Sequence, residues 1–198
     1  MKIVFASRNE GKLKEIKAML EGTGVELVSL NSYPDAPDIV EDGKKFLENA
    51  LKKARIISEF TGETVLADDS GLAVEFLNGE PGIYSARYAG EKATDEENNI
   101  KLLDKLKNVP AEKRTALFEC VLVLYRKDQS YKSFVGRWRG RIIDERRGTN
   151  GFGYDPLFLV PEWRMTAAEL PPAVKNKISH RGQAFAQLKN SLLGLIKE

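Results

Sequence analysis

Cysteine and histidine are almost missing from this chain: its 198 residues include one of each, Cys120 and His180. A single cysteine excludes an internal disulfide and a cysteine-rich zinc site. It lies in "LFECVLVLY", where a small buried hydrophobe and a nucleophile are both open readings. Long apolar runs are missing too. None is long enough to span a bilayer, and the apolar part of "MKIVFASRN" is too short for the core of a signal peptide. Neither sign of charge dominates: 31 Lys plus Arg against 29 Asp plus Glu give +2. That balance favours neither nucleic acid nor a membrane as partner. Internal repeats, low-complexity tracts and flexible linkers are also lacking, and a cytoplasmic protein is expected.

What is present is a core. With 42% hydrophobic residues the chain can bury a substantial interior, as one α/β unit with a mixed sheet or as two lobes with a cleft. "KIVFA" (2–6) reads as a strand. The helix after it carries Leu13, Ile16 and Leu20 on one face. "VELVSL" (25–30) reads as the next strand and "SYPDAPDIVEDG" as a loop. A helix over 44–60 has an apolar stripe of Phe46, Leu47, Ala50, Leu51, Ala54 and Ile57. Thr94 and Glu97 form a capping-box signature. Residues 115–143 read as a hairpin turning near 127–130. A last helix over 181–196 places Phe185, Leu188, Leu192 and Leu195 at helical spacing.

Four polar segments interrupt this pattern. In "TVLADDSGLAVE" (64–75), Val65–Ala67 and Leu72–Val74 read as two short strands, with Asp68, Asp69, Ser70 and Gly71 between them. Adjacent carboxylates repel and are costly to bury unless a cation or hydrogen bonds compensate, so a polar capping turn and a functional cluster both stay open. "FASRNEGKLKE" sets Ser7, Asn9, Gly11 and Lys12 at a strand-to-helix junction. There, free N–H groups and a lysine could take an anion, or form a plain turn. No Walker-type ending follows. "GTNGFGYDP" (148–156) lacks the surroundings of a dinucleotide fingerprint. Its glycines would let a planar base approach Phe152, or the aromatics could simply pack down. "VKNKISHRGQ" brings Lys175, Ser179, His180 and Arg181 to the start of the last helix, where Ser179 could be an N-cap with His180 exposed.

Together with "VEDGKKFLENALKKA", "GIYSARYAG", "GFGYDPLF" and "ISHRGQA", these segments stand in the order found in the Ham1/RdgB family, which the chain resembles over essentially its whole length. These are inosine triphosphate pyrophosphatases, which clear non-standard purine nucleotides. The resemblance implies a homodimer of elongated α/β protomers, each with a central mixed sheet, two lobes and an active-site cleft between them. It also implies Mg²⁺-dependent hydrolysis of ITP, dITP and XTP to the monophosphate and pyrophosphate. Asp69 would be the proton acceptor, and Glu41 and Asp69 the metal ligands. Mg²⁺ would then compensate the paired carboxylates, with Asp68 holding the turn or standing behind the ligands.

On the same resemblance, Lys12, Lys53 and the N–H groups of Ser7, Arg8, Asn9, Glu10, Gly11 and Lys12 would bind phosphate. Glu15 would position Lys12 or a metal-bound water, or form a solvated ion pair. Ser70 would bond the substrate. Phe152 would stack on the base, Gly153 and Tyr154 would complete that loop, and Asp155, Lys175, His180 and Arg181 would line the base edge. Arg181 is a permanent donor; aimed at position 6 it would donate to a carbonyl and reject adenine's amino group. Two other classes are weighed. Arginines around Trp138 in "GRWRGRIIDERRG" suggest nucleic-acid binding, which the near-neutral charge disfavours. A catalytically inactive nucleotide sensor would not need to retain Asp69, Glu41 and Lys12.

Overall fold

Every apolar residue of the first strand is followed by another, so the strand must be covered on both faces, and it is. In the computed structural model, which describes residues 1–195 and their side chains to residue 192, β1 (Lys2–Phe5) leads through α1 (Glu10–Leu20) to β2 (Glu26–Ser29), parallel to it. α2 (Phe46–Thr61) then leads to β3 (Val65–Val74), parallel to β1 on its other side. After α3 (Asp95–Lys105) come the hairpin β4 (Thr115–Tyr125) and β5 (Tyr131–Ile142), then β6 (Phe158–Val160) and β7 (Met165–Thr166). The chain closes with α4 (Pro172–Ile178) and α5 (His180–Leu195). The seven strands form one sheet in the order β2-β1-β3-β4-β5-β6-β7. It is parallel around β1 and antiparallel from β5 to β7, a mixed α/β sheet as expected.

The chain packs into two compact units. The first comprises Met1–Asp69, Cys120–Gly136 and the segment from Arg181 onward. Its strands alternate with period two. Ile3, Phe5, Leu66, Cys120, Leu122 and Leu124 face α1 and α5, whereas Val4, Ala6, Val65, Ala67, Val121 and Val123 face α2. α1 starts at Asn9, whose side chain accepts from the Lys12 N–H, and buries Leu13, Ile16 and Leu20. α5 contributes buried Phe185, Leu188 and Leu192; the Leu195 side chain lies outside the described residues. α2 differs from its expected stripe. Leu47 is exposed, and the buried face includes Asn49 and Lys53 beside Ala50, Ala54 and Ile57. Asn49 is used as an acceptor for the Gly43 N–H.

The second unit comprises Ser70–Glu119 and Arg137–His180. Its core gathers Leu72, Val74, Leu102, Phe118, Trp138 and Phe158. α3 opens with the expected capping box: Thr94 accepts from the Glu97 N–H and Glu97 accepts from the Thr94 N–H. The alternation of β5 puts Trp138 inside and Arg137, Arg139 and Arg141 outside. Three elements were not anticipated: β6 and β7, of three and two residues, and the seven-residue α4. Each is too short to show a period.

β3 is the main departure. It runs unbroken from Val65 to Val74, so Asp68, Asp69 and Ser70 sit within a strand and form no turn. No helix is long and apolar enough to cross a membrane among the described residues.

Candidate active site

A continuous strand settles how two adjacent aspartates are accommodated. Successive side chains point to opposite faces, so Asp68 follows Leu66 toward α1 and α5, and Asp69 follows Ala67 toward α2. The carboxylates do not share an environment. Protein cations meet each one separately.

On the first face Asp68 is wholly buried. It accepts from Arg181 Nε at 2.7 Å, and Lys12 Nζ lies 2.6 Å from its other oxygen. Arg181 Nη1 in turn donates to Glu15 at 2.6 Å. The result is an alternating row, Lys12–Asp68–Arg181–Glu15, of zero net charge. Burial alone would raise the Asp68 carboxyl; Arg181 and Lys12 overcome it and hold the group well below the usual carboxylate range. Cys120 is buried on the same face and donates its thiol to Asp68 at 3.3 Å. Burial and this carboxylate push the thiol well above its ordinary value, so it is a packed donor and no nucleophile.

This row revises the expectation for Arg181. Its side chain is 1% exposed, and Nε, Nη1 and Nη2 all bond Asp68 or Glu15. Those bonds join Glu15 of α1 to Asp68 of β3. Asp68 likewise holds two cations, and no turn exists for it to hold.

On the second face Lys53 Nζ touches three oxygens: Glu41 Oε1 at 2.7 Å, the Asp68 carbonyl at 2.8 Å and Asp69 Oδ1 at 3.0 Å. One lysine thus meets two carboxylates. Burial raises the Asp69 carboxyl above its ordinary value, although Lys53 and Lys12 pull the other way; Glu41 adds to the rise. Asp69 Oδ2 is buried and has no hydrogen-bond partner among the described residues. A buried, unpartnered carboxylate oxygen beside a second carboxylate suits a hard cation. No group of three or more His, Cys, Asp or Glu able to hold a metal occurs among the described residues. Two carboxylates are nevertheless enough for Mg²⁺, which commonly takes one or two and fills its sphere with water and substrate phosphate.

The loop before α1 is partly committed to its own structure. Ser7 N–H donates to the Phe5 carbonyl, Asn9 N–H to Ser7 Oγ and Lys12 N–H to Asn9 Oδ1. Of the six amides expected to bind phosphate three are engaged in this way, and three, those of Arg8, Glu10 and Gly11, are left, the last two in the first turn of α1. The Arg8 side chain donates to the Ala36 carbonyl and the Glu10 carboxylate accepts from Asn31.

In the second unit, the 148–156 loop folds around Asp155. Its Oδ2 accepts from the Phe152 N–H at 2.9 Å and from Lys175 Nζ, which also lies 5.2 Å over the Phe152 ring. Gly151, at φ +76°, makes this possible: a Cβ there would lie 2.0 Å from Asp155 Oδ2. The missing side chain at Gly151 makes room for that carboxylate, while a Cβ at Gly153 would meet nothing within 4 Å. Tyr154 is a core residue whose hydroxyl donates to the Ser85 carbonyl, and burial raises its pKa. Ser179, at φ −69° and ψ 165°, closes α4 and stands directly before α5, the place of an N-cap. His180 is 4% exposed, stacked on Phe118 at 4.7 Å and 9°, so it does not project into solvent.

Comparison with known proteins decides the family. The Ham1 family model matches residues 3–191. The chain belongs to the Ham1 family. It is 54% identical over 191 residues to a dITP/XTP pyrophosphatase of Geobacter sulfurreducens, covering 96% of each chain. It is 50% identical over 193 residues to one of Vibrio parahaemolyticus, covering 94% of this chain and 96% of that one. A Ham1 protein structure from Coxiella burnetii superposes with a TM-score of 0.88 at 44% identity, covering 98% and 99% of the two chains. Within this Ham1 chain, sequence reading missed the Asp68–Arg181 pair, the Cys120 donor and the Phe118 stack. The first was legible in principle: extending the alternation of Val65, Leu66 and Ala67 by two residues separates the aspartates. The arginines around Trp138 are engaged by carboxylates, Arg137 by Glu119 at 2.7 Å and Arg139 by Glu75 at 3.9 Å, which gives no support to a nucleic-acid surface.

Proposed function

We propose that this chain is a nucleoside triphosphate pyrophosphatase acting on ITP, dITP and XTP, with the monophosphate and pyrophosphate as products. The observation that carries the reading is the separation of two neighbouring carboxylates onto opposite faces of β3, Asp68 bonded to Arg181 and Lys12 and Asp69 beside Lys53 and Glu41. Asp68 is held ionised by Arg181 and Lys12, while Asp69 is raised by burial and keeps one oxygen open. Paired titratable groups pushed apart in this way are the mark of an acid–base site.

Asp69 takes the proton of a water that attacks the α-phosphorus. The bond from that phosphorus to the bridging oxygen breaks, and pyrophosphate leaves with the electron pair. Lys12, anchored by Asp68, and Lys53, anchored by Glu41 and Asp69, face the charge on the leaving group, which is most of what phosphoryl transfer requires. Glu41 and Asp69 would hold Mg²⁺; when bound it neutralises phosphate charge and acidifies water. Ser70, next on β3, bonds the substrate. Phe152, Gly153 and Asp155, with Lys175 and His180, contact the base, and Tyr154 fixes their loop from beneath. The active form is a homodimer in the cytoplasm. Hydrolysis in oxygen-18 water tests the bond broken. Label should enter the monophosphate; label in orthophosphate as the first product would make the enzyme a γ-phosphatase instead.

A further inference from the structure

Resting on the reading of 152–155 as the base loop, we infer that Asp95 and Asn99 of α3 are positioning residues that set how well this loop receives a purine. The two lie four residues apart on α3 and so project from one side of the helix. Both reach Gly153. Asp95 Oδ2 accepts from the Gly153 N–H at 2.6 Å, and Asn99 Nδ2 donates to the Gly153 carbonyl at 2.9 Å. One residue of the loop therefore has both backbone polar groups held by a rigid helix. That residue is flanked by Phe152 and Tyr154, and it adopts φ +61°, a conformation with little intrinsic preference to keep it in place. Asp155 holds the Phe152 N–H from the other side, so the stretch under the Phe152 ring is fixed at consecutive amides.

Fold stability does not account for Asn99. Its side chain is 1% exposed, and its Oδ1 is buried with no hydrogen-bond partner among the described residues. A buried orphan acceptor destabilises, and an apolar side chain of similar volume would remove that penalty. The neighbouring Asn98 is a useful contrast. It takes the Ala89 N–H at 2.8 Å and donates to the Ala86 carbonyl at 3.2 Å, so both ends of its amide are used in holding the chain. Asn99 keeps a costly amide for one bond, to the loop. A loop ordered before binding spares the substrate the cost of ordering it, which acts on KM more than on kcat.

The test compares the full chain with Asn99→Leu, Asp95→Ala, Asp95→Asn and Thr94→Ala, by steady-state hydrolysis of dITP and dATP and by thermal unfolding. Asn99→Leu and Asp95→Ala should each raise KM for dITP roughly ten-fold, the size of one lost hydrogen bond, with kcat changed less than about two-fold. Asn99→Leu should do so without lowering Tm. Asp95→Asn keeps an oxygen for Gly153 and should restore KM. Thr94→Ala weakens α3 without touching the loop, so it should lower Tm and leave KM alone. Unchanged KM in both Asn99→Leu and Asp95→Ala would overturn the inference, as would losses that merely track Tm as in Thr94→Ala. Should Asn99→Leu not fold, Asp95→Ala at the exposed start of α3 decides by the same criteria. A wild-type chain that hydrolyses dATP as well as dITP would instead overturn the base-site reading on which the inference rests.

Discussion

Asp69 and Asp68 differ by one position in sequence and by everything that surrounds them. The proposed mechanism has Asp69 take a proton, so Asp69→Asn should cut turnover by about two powers of ten or more. The fold should survive, because an amide relieves the burial of a charge and leaves Lys53 with Glu41 and the Asp68 carbonyl. Near-wild-type rates in a folded Asp69→Asn would remove Asp69 from the chemistry.

Arg181 invites the opposite experiment. Deleting it leaves Asp68 and Glu15 with a missing partner in the interior, where breaking a buried pair costs about 3–5 kcal/mol. Arg181→Ala should therefore shift the denaturation midpoint strongly and depress hydrolysis of ITP and ATP alike. A selective loss of ITP activity at unchanged stability would return this arginine to the base. The linkage has a definite sign as well. Asp68 has a folded pKa below its unfolded value, so its stabilisation is present above the unfolded value and is lost as pH falls through the folded one.

At the scale of the element, what the sequence could say depended on length. α1, α2, the α3 cap, the hairpin and α5 were legible because each repeats its period several times or carries a reciprocal cap. β3 was misread as two strands because Asp, Ser and Gly are turn formers when nothing compensates them. Cations supplied by α1, α2 and α5 override that preference, and no local window contains them. The 148–156 loop shows the same limit. Its glycines read as room for an approaching group, and what approaches Gly151 is Asp155, set by the fold of the loop itself. Gly151→Ala should displace that carboxylate from the Phe152 amide, in addition to straining a positive φ. A rise in KM for ITP of roughly ten-fold or more is expected, measured beside a thermal melt to exclude global loss. Unaltered KM would detach this loop from substrate binding.

For the molecule as a whole, β3, β4 and β5 each give one end to either unit. A strand cannot melt at one end and keep its register at the other without losing ladder bonds, so the two units should unfold as one. Both tryptophans, Trp138 and Trp163, belong to the second unit, whereas the Asp68–Arg181 pair belongs to the first. Fluorescence-detected unfolding of Arg181→Ala should thus shift together with the loss of far-ultraviolet circular dichroism. A fluorescence transition unmoved by that lesion would mean two separately folding halves.

The single cysteine gives the first unit a reporter of its own. Cys120 is fully shielded, its thiol is held protonated, and it points at Asp68 on the face covered by α1 and α5. A thiol reagent can reach it only when that face opens. Its labelling rate in native buffer is therefore a clock for the spontaneous opening of the face under α1 and α5, readable from one natural atom with no engineered label.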